Sequence, residues 1–361
     1  MRRFDPIRLV PVLVIFLLLA ACGSSGNNTG NGSTPTPKPA VKVALVTDIG
    51  GLNDNGFNHL AYTGYTKAQQ QYGFHTAIIQ TVSQNDYVKN LTTAAEEVGS
   101  GGLVVAVGFL MQTPLDQVAK QFSSTNFAIV DGCAVPNATT GACETLPNVS
   151  PLFFKEQEAG CLVGAIAGQM EVDGKSKVPG LLGANTIGAV GGQAIPPVTR
   201  YIAGFKYCAQ KVDPSVTVLV NYSNDFANTA LCKSVAQSQI SQHHADIIFQ
   251  VAGGCGIGAL DAAYQNHVYG IGVDADQGYI HPDVITSALK RVDVAVFTII
   301  DDAEKGTYPA FVASPLTFDL AHNGVGYGTT SSDVPADAIT TANNYASMIK
   351  SGSLVPPANI P

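Results

Sequence analysis

Short apolar runs alternate along the chain with longer segments in which apolar residues recur every three or four positions. Val41–Val46 is typical of a buried strand, and the helical stripe that follows runs from Phe57 to Tyr72. Further predicted strands are Ala77–Ile79, Leu103–Val107, Phe127–Val130, Leu181–Leu182, Val216–Val220, Ile247–Val251 and Val268–Val273. Further predicted helices include Asp86–Val98, Lys155–Met170 and Asn228–Ile240. This alternation indicates an α/β fold with parallel sheets covered on both faces.

The number of strand–helix units exceeds what one sheet comfortably holds, so we expect two doubly wound lobes. A break is expected near Asn148–Pro151, where a loop gives way to a long helix. A strand-like run at Val294–Ile300 suggests that the chain returns late to the first lobe. The expected bounds are residues 41–150 plus 276–310 for the N-terminal lobe and residues 151–275 plus 311–361 for the C-terminal lobe.

Acidic side chains lie at several predicted strand ends in both halves of the chain. Asp48, Asp131 and Asp274 each end a strand, and Asn224 with Asp225 follows another. One such residue is ordinarily a helix cap. Because open α/β sheets bind ligands at the carboxyl ends of their strands, several of them together indicate a ligand site.

The N-terminus has the pattern of an export signal. Basic residues precede the apolar stretch Leu9–Ala21, which is shorter than the roughly 20 residues that a membrane-spanning helix needs. Small residues then precede Cys22, so residues 1–21 resemble a lipoprotein signal peptide and Cys22 its acylated cysteine. A plain secretory signal with a chance cysteine is the alternative. Residues 22–40, rich in Gly, Ser, Asn, Thr and Pro, are expected to form a disordered tether.

Composition and charge narrow the function. Hydrophobic residues make up 46% of the 361 residues, charged residues make up 13%, and the net charge is −8. This balance is that of a globular protein with a large core, and the negative charge argues against a nucleic-acid partner.

Six cysteines follow Cys22: Cys133, Cys143, Cys161, Cys208, Cys232 and Cys255. An even number in an exported chain permits disulfides, although the sequence does not give their connectivity. Cys133 and Cys143 flank a turn-rich segment and are the first candidate pair. The cysteine spacing matches no zinc or redox motif.

Two glycine motifs resemble phosphate-binding loops. The segment Gly254–Ala259 fits the dinucleotide pattern GxGxxA, but several βα units precede it, whereas that pattern belongs after the first strand. Gly174-Lys175-Ser176 lacks the earlier glycine of a P-loop. Catalytic motifs such as GxSxG and HExxH are also missing from the sequence. We therefore expect a binding protein rather than an enzyme, with no cofactor and no metal.

From about Val41 onward the chain resembles the basic membrane protein family of lipoproteins, the substrate-binding components of ATP-driven transporters related to purine-nucleoside receptors. The matching segments are VTD ending at Asp48, NDNGFN ending at Asn58, VGF ending at Phe109, FAIVD ending at Asp131, EQEAGCLVG beginning at Glu156, QAIPP ending at Pro197, AGF ending at Phe205, VAGG ending at Gly254, IGVDADQ ending at Gln277 and TSALK ending at Lys290. Their order and spacing carry the resemblance. It implies a type I periplasmic-binding-protein fold, two Rossmann-like lobes joined by three crossovers.

The resemblance also implies the site. Phe57 and Phe226 would sandwich the base of a nucleoside from opposite lobes, and Asp131 would bind its edge. The remaining contacts implied are Asn58 and Asp48 near the base, Asp274 and Lys290 at the ribose hydroxyls, and the backbone of Gly253 and Gly254. The six cysteines are not part of the family pattern, and Cys133 and Cys255 lie within two residues of proposed contacts.

The function implied is that of a lipid-anchored protein at the extracytoplasmic face of the cell membrane. It would deliver a nucleoside, with a purine the first choice, to an ABC permease and its ATPase subunit, and it is expected to be a monomer. Alternatives are another ligand (a sugar, a flavin or a signalling furanose), a ligand sensor, and an extracytoplasmic oxidoreductase using the GxGxxA turn.

Overall fold

Twelve β-strands and nine α-helices alternate along the part of the chain that the structure describes. The structure is a computed structural model, and it describes residues 40–135, 139–140, 142–308 and 316–360. The predicted signal peptide, Cys22 and all of the predicted tether except Ala40 lie outside the described residues. The described elements belong to one compact unit that spans Ala40–Pro361.

The first sheet has six strands, all parallel to their neighbours. Its strands are β1 (Val43–Val46), β2 (Ile78–Ile79), β3 (Leu103–Val107), β4 (Asn126–Val130), β5 (Val149–Phe154) and β11 (Leu316–Phe318). They are arranged in the order β11-β5-β4-β3-β1-β2. Because β2 and β3 flank β1 on opposite sides, the winding direction reverses at β1, and a crevice opens there at the strand ends.

The second sheet repeats this arrangement. Its strands are β6 (Thr186–Gly191), β7 (Thr217–Tyr222), β8 (Ile247–Val251), β9 (Tyr269–Asp274), β10 (Val284–Lys290) and β12 (Val325–Tyr327). They are arranged in the order β12-β10-β9-β8-β6-β7, with β12 antiparallel to its neighbour. The winding reverses at β6. Each lobe therefore has its own crevice at the carboxyl ends of its parallel strands.

Helices cover both sheets, as the alternating pattern predicts. They are α1 (Phe57–Tyr72), α2 (Tyr87–Val98), α3 (Gln112–Gln121), α4 (Glu156–Lys177), α5 (Pro196–Val212), α6 (Thr229–His243), α7 (Gly256–Gln265), α8 (Val292–Lys305) and α9 (Ala336–Lys350). Short 3-10 turns occupy Gln84–Asp86, Phe109–Met111 and Gly253–Cys255. Within the described ranges, none of these helices has the length and apolar character needed to span a bilayer.

The chain passes between the two sheets three times, after β5, after β10 and after β11. This agrees with the type I periplasmic-binding-protein fold that the resemblance implies. The sheets differ from the expected lobe bounds, however. The expected boundary after residue 150 cuts through β5, which lies wholly in the first sheet, so the change of sheet comes after Phe154. Likewise β10 lies in the second sheet and β11 in the first.

Two predicted strands are wrong. Val294–Ile300 lies within α8, where its buried residues face one side of a helix. Leu181–Leu182 forms no strand, because Gly183 turns the chain with φ 88° and Leu182 points to solvent. The neighbouring strand is β6, whose Thr- and Gly-containing segment lacks a strong apolar run.

Three disulfides pair the six cysteines that lie among the described residues. Cys133–Cys143 is confirmed, and the other two bridges are Cys161–Cys208 and Cys232–Cys255. The second bridge joins α4 to α5, and the third joins α6 to the turn at Gly253–Cys255. That third bridge is close to the carboxyl end of β8, where a ligand site is expected.

Candidate ligand-binding site

A cavity lies between the two crevices, where the carboxyl ends of the strands of both sheets meet. All nine residues expected at the site line it: Asp48, Phe57, Asn58, Asp131, Phe226, Gly253, Gly254, Asp274 and Lys290. They come from both sheets, at or after the carboxyl ends of the strands. The fold therefore brings together residues that are up to 242 positions apart in the sequence.

Phe57 forms part of one wall of the cavity from the first lobe. It is the first residue of α1, and its ring is half-buried. The carboxylate of Asp54 accepts hydrogen bonds from the backbone N–H groups of Gly56 (3.0 Å), Asn58 (2.8 Å) and His59 (3.1 Å). These bonds satisfy the free amides of the first helical turn. Asp54 therefore fixes the start of the helix that carries Phe57 and Asn58 into the cavity.

Phe226 contributes to the cavity from the second lobe, in the loop between β7 and α6. Its ring lies over Gly192, where a Cβ atom would come within 2.2 Å of the ring. Its carbonyl oxygen accepts a hydrogen bond from the backbone N–H of Cys255 (2.9 Å), and Cys255 is bonded to Cys232. The disulfide thus anchors the turn that holds both the backbone of Phe226 and the cavity-lining Gly253 and Gly254.

Asp48 lies at the carboxyl end of β1 and is almost fully buried. The hydroxyl of Tyr87 donates to its carboxylate, and the backbone N–H of Ile49 does so at 2.7 Å. Burial raises the pKa of Asp48 to about 6 against the lowering effect of these bonds. Gly108 is required beside it, because a Cβ at this position would lie 2.1 Å from the carboxylate, and its φ of 127° disfavours other residues.

Lys290 is the buried cation of the site and pairs with two carboxylates. Its Nζ lies 2.6 Å from Asp131, within reach of both carboxylate oxygens, and 3.0 Å from Glu156 Oε1. Burial alone would lower the pKa of Lys290, but Asp131, Glu156 and Asp274 outweigh it, so the pKa is raised and the ammonium stays charged. Burial raises the pKa of Glu156, against the lowering effects of Lys290 and Arg200.

Asp274 ends β9 with a left-handed φ of 61° and is buried beside this pair. The hydroxyl of Tyr201 donates to Asp274 Oδ1 (3.1 Å). Burial raises the pKa of Asp274 to about 7, while Lys290 acts in the opposite direction. Near neutral pH this group therefore exchanges between an acceptor-only carboxylate and a carboxylic acid that can also donate.

The cavity is rich in hydrogen-bond acceptors and poor in cations. Four carboxyl groups line it, those of Asp48, Asp54, Asp131 and Asp274, together with the single ammonium of Lys290. Asp131 Oδ1 is buried and has no hydrogen bond of good geometry to another described residue. Such a site suits a ligand that presents N–H and O–H donors and disfavours one that carries several negative charges.

Sequence reasoning missed about half of the lining. The additional residues are Ile49, Asp54, Gly108, Phe109, Ile195, Pro197, Val198, Tyr201, Val251 and Val273. The strand-end rule could have found Gly108, Phe109, Val251 and Val273, since each lies at or just after the end of a strand. Tyr201 lies inside α5, where only its apolar spacing was visible. Conversely, Asn224 and Asp225 do not line the cavity, and Asp225 instead accepts from the backbone of its own turn.

Whereas Gly254 lines the cavity, Gly256 and Gly258 of the GxGxxA segment have packing roles. A Cβ at Gly256 would meet the side chain of Gln250, and one at Gly258 would meet the backbone of Thr229. These glycines allow α7 to pack closely against its neighbours. Among the described residues, His, Cys, Asp and Glu side chains form no group of three or more suited to a metal ion.

Comparison with known proteins gives one family. A family model described as "ABC transporter substrate-binding protein PnrA-like" matches residues 40–357. An uncharacterized lipoprotein of Pyrococcus furiosus is 34% identical over 338 residues, which is 91% of this chain and 78% of the relative. The ABC transporter nucleoside-binding protein BmpA of Lactococcus lactis is 27% identical over 347 residues, covering 89% and 91% of the two chains.

Solved structures give the same fold. An ABC transporter solute-binding protein from Aeropyrum pernix superimposes with a TM-score of 0.75 at 27% identity, covering 88% of this chain and 94% of that one.

Proposed function

We propose that this chain, which belongs to the family of PnrA-like ABC transporter substrate-binding proteins, binds a purine nucleoside in its interlobe cavity. The observation that carries the proposal is that Phe57 and Phe226, from opposite lobes, line one and the same cavity. A purine base is flat and has two π-faces, so it can use an aromatic ring on each side. Stacking on an aromatic side chain contributes about 1–3 kcal/mol per base.

The polar groups around the cavity support a nucleoside rather than a nucleotide. Ring N–H groups and vicinal ribose hydroxyls are donors, and the carboxylates of Asp131 and Asp274 are suitable acceptors. Asp48 and Asn58 lie near the base side in this assignment, and Lys290 with Gly253 and Gly254 contacts the sugar. A di- or triphosphate would bring negative charge next to several buried carboxyl groups, with too few cations to compensate.

Ligand contacts from both lobes would favour the closed arrangement of the protein. A ligand shifts such an equilibrium only through its greater affinity for one state, and hinge closure is common among periplasmic binding proteins. The closed form would then dock on a membrane permease whose ATPase drives import.

The lipid anchor is a separate part of the proposal. We place the acyl chain on Cys22, after removal of residues 1–21, with the folded unit at the extracytoplasmic face of the cell membrane. The support is the signal pattern before Cys22 and the lipoprotein names of relatives. Mass spectrometry of the intact protein recovered from membranes tests it, because an acylated N-terminal Cys22 has a defined added mass.

Calorimetry tests the ligand. The chain truncated before Gly23 keeps the whole compact unit and should bind adenosine, guanosine or inosine, whereas ribose, riboflavin and NAD should not compete. Mass spectrometry of ligand released from freshly purified protein provides an independent identification. Binding of a sugar or a flavin with no response to any nucleoside would refute the nucleoside assignment while leaving the binding-protein function in place.

A further inference from the structure

Two hydrogen bonds join the lobes outside the ligand cavity, and both end on Asn55. This residue lies in the loop between β1 and α1 of the first lobe. Its carbonyl oxygen accepts from Gln277 Nε2 (3.1 Å), and its Oδ1 accepts from the hydroxyl of Tyr279 (3.0 Å). Gln277 and Tyr279 both belong to the second lobe, in the segment that follows β9. None of the three is among the residues that line the cavity.

Gln277 is fixed in place by its own lobe. It is 1% exposed, and its Oε1 accepts from Gln250 Nε2 (2.7 Å) and from the backbone N–H of Val273 (3.0 Å). Its own backbone N–H donates to Ser287 Oγ (2.9 Å). The second sheet therefore holds this carboxamide in one orientation, with its Nε2 directed at the first lobe.

Tyr279 differs from Gln277 in being at the surface. Its side chain is 69% exposed, so packing does little to hold the ring in place. Its hydroxyl donates to Asn55 in the opposite lobe. Asn55 is held in the left-handed region with φ 54°, a conformation that Asn tolerates better than most residues. In this conformation both of its oxygens accept hydrogen bonds from the second lobe.

Asn55 is also directly connected to the cavity. Asp54, which precedes it, binds the first-turn amides of α1, and Phe57 lies two residues after it. The backbone of this loop also packs closely against the second lobe. A Cβ atom built on Gly254 would lie only 3.7 Å from Asp54 Cα. Contacts that hold Asn55 therefore also restrain the backbone from which the Phe57 ring enters the cavity.

We propose that Asn55, Gln277 and Tyr279 form a latch that stabilises the closed lobes and thereby positions Phe57 over the ligand. Its effect on ligand binding rests on the proposed function. An exposed polar contact by itself contributes little, but here one residue receives two bonds, one of them from a buried and oriented donor. Since both bonds join the lobes, opening breaks them, and the latch slows ligand release more than it speeds ligand capture.

Rate measurements on the complete chain in detergent test the latch. Tyr279→Phe removes only a hydroxyl, and Asn55→Gly removes the acceptor side chain while keeping the positive φ accessible. Each should raise the dissociation rate of a bound nucleoside roughly two- to threefold, the lower end of the effect of one net hydrogen bond, because the Tyr279 bond is exposed and the Gln277 bond to the backbone remains, with little change in the association rate. The double variant should resemble Asn55→Gly alone, because both changes break the same bond. Additive effects, or unchanged dissociation rates, would overturn the latch.

Matched variants separate the latch from general effects of these substitutions. Tyr264→Phe removes a hydroxyl from another exposed tyrosine of the second lobe, whose ring stacks on His281. Asn53→Gly changes an exposed asparagine of the same loop. Both should leave the dissociation rate as it is in the wild type, and a rise equal to that of the latch variants would count against the proposal.

A ligand-free measurement keeps the latch distinct from the nucleoside proposal. Val82 and Val172 are exposed positions, one in each lobe. Replacing both by a non-canonical amino acid that carries a spin label reports the interlobe distance without the cysteine chemistry that would disturb the disulfides. Tyr279→Phe and Asn55→Gly should shift the distance distribution towards longer values. An identical distribution in wild type and variants would overturn the latch. If the wild type binds no nucleoside, the proposed ligand fails, but this measurement still decides whether the latch exists.

Discussion

Lys290 Nζ lies 2.6 Å from the carboxylate of Asp131, so an ion pair joins the second sheet to the first inside the cavity. The resemblance to the family assigns Asp131 to the base and Lys290 to the ribose. Here they also bind each other, and Glu156 accepts a second bond from the same ammonium. A ligand that uses either residue therefore enters an existing network rather than an isolated donor or acceptor.

Lys290→Met should destabilise the protein strongly. It leaves the carboxylate of Asp131 buried without a cation and Glu156 with only the longer contact to Arg200 (3.6 Å), and loss of one partner of a buried pair costs about 3–5 kcal/mol. Chemical denaturation of ligand-free protein measures the change. The exposed Lys89→Met should alter the free energy of unfolding by about 0.5 kcal/mol or less. Adding Glu156→Gln to Lys290→Met should recover part of the loss, and a further loss would contradict the network described here.

Phe57→Ala and Phe226→Ala should each weaken nucleoside binding roughly tenfold or more, since each removes one stacking surface. Calorimetry on the same ligand measures both. Phe57→Tyr keeps an aromatic face and should remain close to the wild type. Unchanged affinity in both alanine variants would remove the stacking arrangement.

The bridge Cys232–Cys255 should support both stability and ligand binding. It closes 23 residues of sequence, which by chain entropy corresponds to about 3 kcal/mol of stability. Replacing both cysteines by alanine should also weaken binding, because the bridge anchors the turn that carries Gly253 and Gly254 and whose backbone N–H at residue 255 donates to the Phe226 carbonyl.

The bridge Cys161–Cys208, which spans 47 residues between α4 and α5, provides the control. Its removal should lower the melting temperature and leave the dissociation constant of the fully folded protein unchanged. If both bridges affected binding equally, the role of Cys255 at the cavity would be disproved.

Stability should fall with rising pH because of Glu171, a residue remote from the cavity. Burial, together with the neighbouring carboxyl groups of Asp246 and Asp213, raises its pKa from the usual 4.5 to about 8. The folded protein therefore holds a proton that the unfolded chain releases between these values, so the stabilisation is complete below pH 4.5 and lost as pH rises through about 8.

Glu171→Gln should flatten this dependence. The amide stays neutral, so the variant should match the wild type near pH 4 and unfold at a higher denaturant concentration near pH 8.5. Each tenfold change in proton affinity corresponds to about 1.4 kcal/mol. The free energies of unfolding of the variant and the wild type should therefore differ by at most about 5 kcal/mol near pH 8.5. Denaturation midpoints at the two pH values measure it, and parallel curves for both proteins would contradict the assignment.

Local sequence patterns were sufficient to predict the strands and the helix that position the site. The buried runs before Asp48, Asp131 and Asp274 form strands as predicted, and each residue lies at a carboxyl end. Phe57 begins the helix whose apolar stripe it shares. These features depend on neighbouring residues only, because strand and helix periodicities are properties of a few consecutive turns or pleats.

Sheet membership and the contacts across the cleft required the tertiary structure. Strands β11 and β12 have three residues each, too few for a periodic signal, and they join opposite sheets through partners far away in sequence. For the same reason no local pattern shows that Tyr279 reaches Asn55 or that Lys290 pairs with Asp131. By itself, the sequence determined the strands, helices and strand-end chemistry of each lobe. Only long-range packing decided which sheet each of the C-terminal strands β11 and β12 joins and which side chains meet between the lobes. Those contacts depend on the arrangement of both sheets at once.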